Sequence, residues 1–174
     1  MIHIVLYEPE KPANAGNIMR TCSCFNMKLH FIGPLTYRID KDALTNKDFL
    51  KRAAMDYVDS CDYDYYNNWQ EFLAKHNNNN LYYLSRYGLK TLDKCEFNTS
   101  KDIYLVFGKE STGIPKEILK QNLDHTFRIP MSPESRSLNL SNCVAITSYE
   151  CLKQLNFEDL SLTEVIKGKD FLLK

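Results

Sequence analysis

Glycine is scarce in this 174-residue chain, with only six in all. None of them belongs to a Gly-x-Gly-x-x-Gly dinucleotide loop. None opens a Gly-Lys-Ser/Thr phosphate cradle either, because Gly108-Lys109 runs on into Glu110. The common dinucleotide and P-loop sites are thereby excluded, and with them the glycine-rich loop of Rossmann methyltransferases. The six cysteines (22, 24, 61, 95, 143 and 151) form no Cys-x-x-Cys pair and no Cys/His metal spacing, so no metal is expected. They read as reduced, mostly buried thiols of a cytoplasmic protein. No apolar run approaches the ~18 residues of a membrane span, and no signal-peptide pattern opens the chain. An excess of one charge is also missing: Lys plus Arg equals Asp plus Glu at 22 each. A nucleic-acid partner would therefore need a local patch, which a symmetric dimer doubles.

What is present is ordinary for one globular domain with a proper core: 44% hydrophobic and 25% charged residues. His3-Ile-Val-Leu-Tyr7 reads as a buried strand, Asn14 to Phe25 as a helix, and Leu29-His-Phe-Ile32 as a second strand closed by Gly33-Pro34. Strand, helix, strand with short joins is the pattern of a parallel sheet with a crossover helix. Lys41 to Ala54 reads as a helix, Asp56 to Tyr63 as a weak strand, and Trp69 to Ala74 as a helix. The run Asn77 to Asn80 reads as a helix-end loop. Leu81 to Ser85, Ile103 to Phe107 and Thr126 to Ile129 are strands, with a helix opening at Pro115. The domain is expected over residues 1–157, followed by a tail over 158–174 that could pack on it.

Chemistry concentrates in Ile129-Pro-Met-Ser-Pro-Glu-Ser-Arg-Ser-Leu-Asn-Leu-Ser-Asn142, a polar loop leading into an apolar helix near Cys143 that Ser141 or Asn142 would cap. Gly16, Gly88 and Gly108 all follow expected strands. Ligand crevices of parallel sheets lie beyond the strand C-termini, so these glycines and the Ser/Asn loop point to a small-molecule site. His3, His30, His76 and His125 read as core or surface residues. The Tyr57 to Tyr66 stretch reads as a solvated edge strand.

Three segments carry a resemblance: Asn14-x-Gly-Asn-x-x-Arg20, Phe107-Gly-x-Glu-x-x-Gly113, and Ile129-Pro-Met followed by Ser137-Leu-Asn-Leu-Ser-Asn142. With Val5-Leu-Tyr-Glu-Pro-Glu10, they make the chain similar to the SPOUT-class RNA ribose 2′-O-methyltransferases over residues 2–157. More narrowly, it resembles the small single-domain members that methylate the wobble nucleotide of tRNA. The resemblance implies an α/β fold, a mostly parallel sheet flanked by helices with a C-terminal deep trefoil knot. It also implies S-adenosylmethionine as cofactor, S-adenosylhomocysteine as product, tRNA as partner and a homodimer as the working unit.

Carried over by motif position, Leu84, Gly108, Ile129, Ser137 and Leu138 would hold the cofactor, with Glu110 beside them. Arg20 is the expected catalytic residue, either as the base that the family proposes or as a cation gripping a phosphate or the emerging alkoxide. The second role suits a guanidinium, which resists deprotonation. Asn14, Asn17, Arg136, Asn139 and Ser141 are candidates for substrate contact or loop support, and Tyr149 for the dimer interface. The alternatives are the same chemistry on ribosomal RNA or another tRNA position, a non-catalytic RNA-binding protein of this fold, and a flavodoxin-like nucleotide binder.

Overall fold

Strict alternation of side chains along each strand sorts the core into two layers. The computed structural model describes residues 1–40, 45, 48–76 and 80–174. Strands β1 (Ile2–Tyr7), β2 (Lys28–Ile32), β3 (Tyr63–Tyr66), β4 (Asn80–Leu84), β5 (Lys90–Thr91), β6 (Ile103–Phe107) and β7 (Thr126–Arg128) form one sheet in the order β3-β2-β1-β6-β4-β7-β5. Every pairing in it is parallel. From β1 and β6, Ile4, Leu6, Leu105 and Phe107 enter one layer, while Val5, Tyr104 and Val106 enter the other. Both faces are covered, so these strands read as continuous apolar runs.

The first layer lies under α1 (Pro12–Cys24), α2 (Phe49–Ala54), α3 (Tyr57–Ser60) and α6 (Leu140–Gln154), which bury Ile18, Leu50, Val58 and Val144 there. The second lies under α4 (Trp69–Lys75) and α5 (Lys116–Lys120), through Trp69, Phe72 and Leu119. Fully buried side chains such as Phe31, Phe72 and Phe107 each contribute about 1.5–3 kcal/mol. Such burial outweighs the cost of placing polar groups beside the core.

Several boundaries differ from the sequence reading. The expected strand over Asp56 to Tyr63 is instead the helical turn α3, and β3 begins at Tyr63. Alternation of Tyr and Asp runs through both segments and hides the junction, while burial of Val58 and Cys61 fixes the turn. As an edge strand β3 pairs only with β2; within it Tyr65 is exposed but Tyr66 is buried. The expected helix over Lys41 to Ala54 is described from Phe49 onward, and most of its first half lies outside the described residues, as do Asn77 to Asn79. Helix α6 starts at Leu140 rather than near Cys143, and its cap is Asn139, not Ser141 or Asn142. In the tail, Leu160 packs against the core while Leu162, Ile166 and Leu172 are exposed.

Candidate functional site

Strands β1 and β6 are neighbours, yet β1 hands the chain to α1 on one face and β6 to α5 on the other. Such a divergence opens a crevice beyond the strand C-termini. Here it is a cavity of about 450 Å³ walled by the ends of β4 (Leu84 to Tyr87), β6 (Phe107 to Gly113) and β7 (Ile129). The loop into α6 closes it with Met131 and Ser137 to Leu140. Its volume falls in the roughly 300–1,000 Å³ range of small-molecule sites.

Gly108 is required by close approach: a Cβ there would lie 2.1 Å from both the Gly113 carbonyl carbon and the Ile114 nitrogen. The segment is a small hairpin, in which the Gly113 N–H donates to the Lys109 carbonyl at 2.8 Å and Gly113 takes φ +74°. Glycine meets both needs, at 108 by leaving room for the opposite backbone and at 113 by adopting positive φ without strain. Gly16, by contrast, faces α2, where a Cβ would lie 2.3 Å from the Leu50 carbonyl oxygen, so it serves helix packing and not the cavity.

Glu110 ties the three sequence segments together. Its carboxylate accepts the Glu10 N–H at 2.7 Å, the Lys11 N–H at 3.2 Å and the Asn14 Nδ2–H at 2.8 Å. These donors sit at the start of α1, where backbone N–H groups are unpaired and the helix dipole favours an anion. Asn139 Nδ2 then donates to Asn14 Oδ1 at 2.9 Å, so residues 110, 14 and 139 form one chain of hydrogen bonds. Asn139 Oδ1 in turn accepts from the Ser141 N–H (2.9 Å), the Asn142 N–H (3.3 Å) and the Ser141 hydroxyl (2.6 Å), which caps α6. Glu10 reciprocates by accepting the Ser111 N–H at 2.8 Å and its hydroxyl at 2.7 Å, which hold the Glu10 carboxyl below the usual range. A Lys109–Glu8 ion pair at 2.6 Å completes the bracing.

Leu84, Gly108, Glu110, Ile129, Ser137, Leu138 and Asn139 thus line a single cavity. Asn14 stands behind them, buried and fully bonded. Ser141 belongs to the α6 cap. Arg20, Asn17, Arg136 and Tyr149 do not line the cavity of their own chain. Arg20 is exposed on the side of α1 that faces α3: its Nη1 donates to Met55 Sδ at 3.4 Å, and its guanidinium carbon is 5.4 Å from the centroid of the Tyr57 ring. Asn17 is exposed on α1, and Arg136 on the loop into α6. Tyr149 on α6 is 56% exposed near the also exposed Ile146, with its ring 5.4 Å from that of Phe157.

Sequence reasoning quoted the stretches that hold Glu8, Glu10, Lys109 and Ser111 but assigned these four residues no role at the site. It also missed Tyr37, whose phenol oxygen is buried without a hydrogen-bond partner among the described residues; burial and the nearby Glu110 raise its pKa. A further polar cluster lies under α4. His3 Nδ1 and His30 Nε2 share a proton at 2.8 Å, and His30 Nδ1 lies 3.2 Å from the Tyr66 hydroxyl. The chain continues to His76 Nε2 at 2.9 Å, whose Nδ1 meets the Tyr104 hydroxyl at 3.2 Å. Burial lowers His3 to about 4 and His30 to about 3, the latter helped by its histidine neighbours. Among the described residues no cluster of His, Cys, Asp and Glu has the arrangement of a metal site, and no helix is long and apolar enough to cross a membrane.

Known proteins share this arrangement. A 40% identical relative from Saccharophagus degradans, aligned over 90% of this chain and 97% of its own, is a tRNA (cytidine(34)-2'-O)-methyltransferase. The relative of that name from Escherichia coli K12 is 36% identical over 90% of this chain and 96% of its own. A solved structure presented as "Structural insights into the 2-OH methylation of C/U34 on tRNA" superposes with a TM-score of 0.79 at 36% identity, covering 90% of this chain and 97% of that one. The SpoU rRNA Methylase family model matches residues 1–149, which span β1 through most of α6 and take in every wall of the cavity. A crevice built from the ends of β4, β6 and β7 and the loop into α6, all inside a family match over residues 1–149, makes this chain a member of the SpoU methylase family.

Proposed function

We propose that the protein transfers a methyl group from S-adenosylmethionine to the ribose 2′-hydroxyl of the wobble nucleotide of tRNA, a cytidine or modified uridine, acting as a cytoplasmic homodimer. The observation that carries this reading is the cavity at the switch point. It has apolar walls at Leu84, Ile129 and Leu138 suited to an adenine ring, and backbone at Gly108 suited to its hydrogen bonds. Relatives aligned along nearly the whole chain carry the corresponding tRNA activity in their names. The segment from β6 to α6 is, in this reading, tied as a deep trefoil knot, a topology otherwise almost absent from proteins. Support comes from β7 slotting between β4 and β5, and from the following loop returning to Asn14 through Asn139.

The bound cofactor supplies an electrophilic methyl group on a sulfonium; the chain supplies position and charge. The latch of Glu110, Asn14 and Asn139 fixes the cavity walls relative to one another, and fixed geometry is itself a large part of the rate in such transfers. Arg20 holds the ribose or its phosphate and stabilises the developing alkoxide, a role that needs only a permanent cation. It lies outside the cavity of its own chain, so in this reading it acts at the site of a second copy, docked through the exposed face of α6 at Ile146 and Tyr149.

Complementation tests this directly. Arg20→Ala is expected to abolish transfer while binding S-adenosylhomocysteine normally by calorimetry, and Gly108→Ala to abolish transfer by losing the cofactor. Mixing the two inactive proteins, unfolded and refolded together, restores activity if Arg20 serves the partner's cavity. A mixture that stays inactive places Arg20 in its own site or outside the mechanism. Mapping of methylated ribose in tRNA and ribosomal RNA from cells lacking the protein identifies the substrate.

A further inference from the structure

The turn after β4 presents an aromatic ring that the fold leaves uncovered. Ser85-Arg86-Tyr87-Gly88 is tightly made: the Gly88 N–H donates to the Ser85 carbonyl at 3.0 Å, and the Tyr87 N–H to Ser85 Oγ at 3.3 Å. It is also pinned to β7, since the Ser85 N–H donates to the Phe127 carbonyl at 2.9 Å. A Cβ on Gly88 would lie 2.5 Å from the Phe127 carbonyl carbon, so the backbones touch there and the turn cannot retreat. On this braced support Tyr87 is 69% exposed, with the Arg86 guanidinium carbon 5.3 Å from its ring centroid. Both side chains line the mouth of the cavity.

Two cations stand at that mouth. Lys11 and Arg86 line it, and neither makes an ion pair among the described residues. Three carboxylates of this rim are bonded to other groups: Glu8 to Lys109, Glu10 to Ser111, and Glu110 to the start of α1. Two cations without an ion-pair partner among the described residues therefore stand next to an open π-face. An apolar protein surface would leave those cations unsatisfied. An unstacked nucleobase satisfies both features, its plane on the ring and its phosphate near the cations.

We propose that Tyr87, backed by Arg86, is the stacking platform for an unpaired base flanking the ribose that receives the methyl group, and so a substrate-positioning residue. The inference rests on the RNA methyl-transfer reading given above and adds a contact to it.

The test uses full-length protein carrying Tyr87→Ala or Tyr87→Trp. Three quantities are measured: KM and kcat for a tRNA substrate, S-adenosylhomocysteine affinity by calorimetry, and anisotropy of a fluorescent anticodon stem-loop RNA. Tyr87→Ala is expected to raise KM and the RNA Kd about tenfold, the scale of one lost base–aromatic stack. Cofactor affinity and Tm stay unchanged, and Tyr87→Trp retains RNA binding. Unaltered RNA affinity in Tyr87→Ala overturns the proposal. A loss of cofactor affinity in that variant also overturns it, because the ring then belongs to the cofactor. If the wild-type protein methylates no tRNA, the functional reading fails separately, and the anisotropy of the stem-loop still decides whether Tyr87 stacks on RNA.

Discussion

At the C-terminal ends of β1 and β6, carboxylates, amides and backbone N–H groups surround an opening, whereas beneath α4 three imidazoles and two phenols are sealed against the same sheet. The first group is built on carboxylates. Glu110 and Glu10 accept from donors that no helix or strand would otherwise satisfy. The second group gives its charge up: His3 and His30 are held neutral because burial penalises the cation more than Asp102 or Asp64 can repay. One sheet thus holds a braced, polar rim around the cavity and a neutral, hydrogen-bonded layer under α4.

The sharpest way to break the rim is Gly108→Ala. The new methyl must displace the backbone at Gly113 and Ile114, and overpacking of this kind costs about 1–3 kcal/mol. The hairpin forms one cavity wall, so the expected result is loss of measurable S-adenosylhomocysteine binding by calorimetry, with the fold retained by circular dichroism.

Acid tests the other layer. In the unfolded chain His3 and His30 titrate near the usual ~6.5, and in the fold at about 4 and about 3. The unfolded state therefore takes up protons first. The stability tied to the neutral pair is fully present above pH ~6.5 and is lost progressively as pH falls from there toward the folded values. Tm should drop steeply across that window. His30→Phe, though less stable at neutral pH, should show a shallower drop; an equal slope in both proteins would assign the acid sensitivity elsewhere.

The smallest effect separates the two jobs of Asn139. Asn139→Ala removes the α6 cap and should lower stability by about 1 kcal/mol in denaturant titrations. Asn139→Ser keeps a capping oxygen but drops the donor to Asn14, so it should recover most of that stability while cofactor affinity remains reduced.

Much of this comparison was legible in the sequence, unevenly. Strands β1, β2, β4, β6 and β7 announce themselves because burial on both faces demands continuous apolar runs. Strand β3 was misplaced because its Tyr/Asp alternation continues through α3, and β5 is too short at two residues to leave a pattern. Leu84, Gly108, Ile129 and Ser137 could be grouped from motif position, and they do line one cavity. The chain linking Asn14, Glu110 and Asn139 could not be read, since its members lie 96 and 125 residues apart and each is an ordinary polar residue locally. The His/Tyr layer was hidden for a related reason. Three histidines scattered over residues 3 to 76 reveal a shared proton network only once the register of β1, β2 and β6 is known.

The bracing of α1 by Glu110 and Asn139 also has a meaning for biosynthesis. The first helix to leave the ribosome has no Glu110 carboxylate bonded at its start until more than half the chain has followed, and no tie to the last helix until residue 139 is made. Completion of the cavity walls therefore waits for the loop into α6 to be made. Nascent or prematurely ended chains, lacking that late segment, would neither capture the methyl donor nor withhold it from finished enzyme.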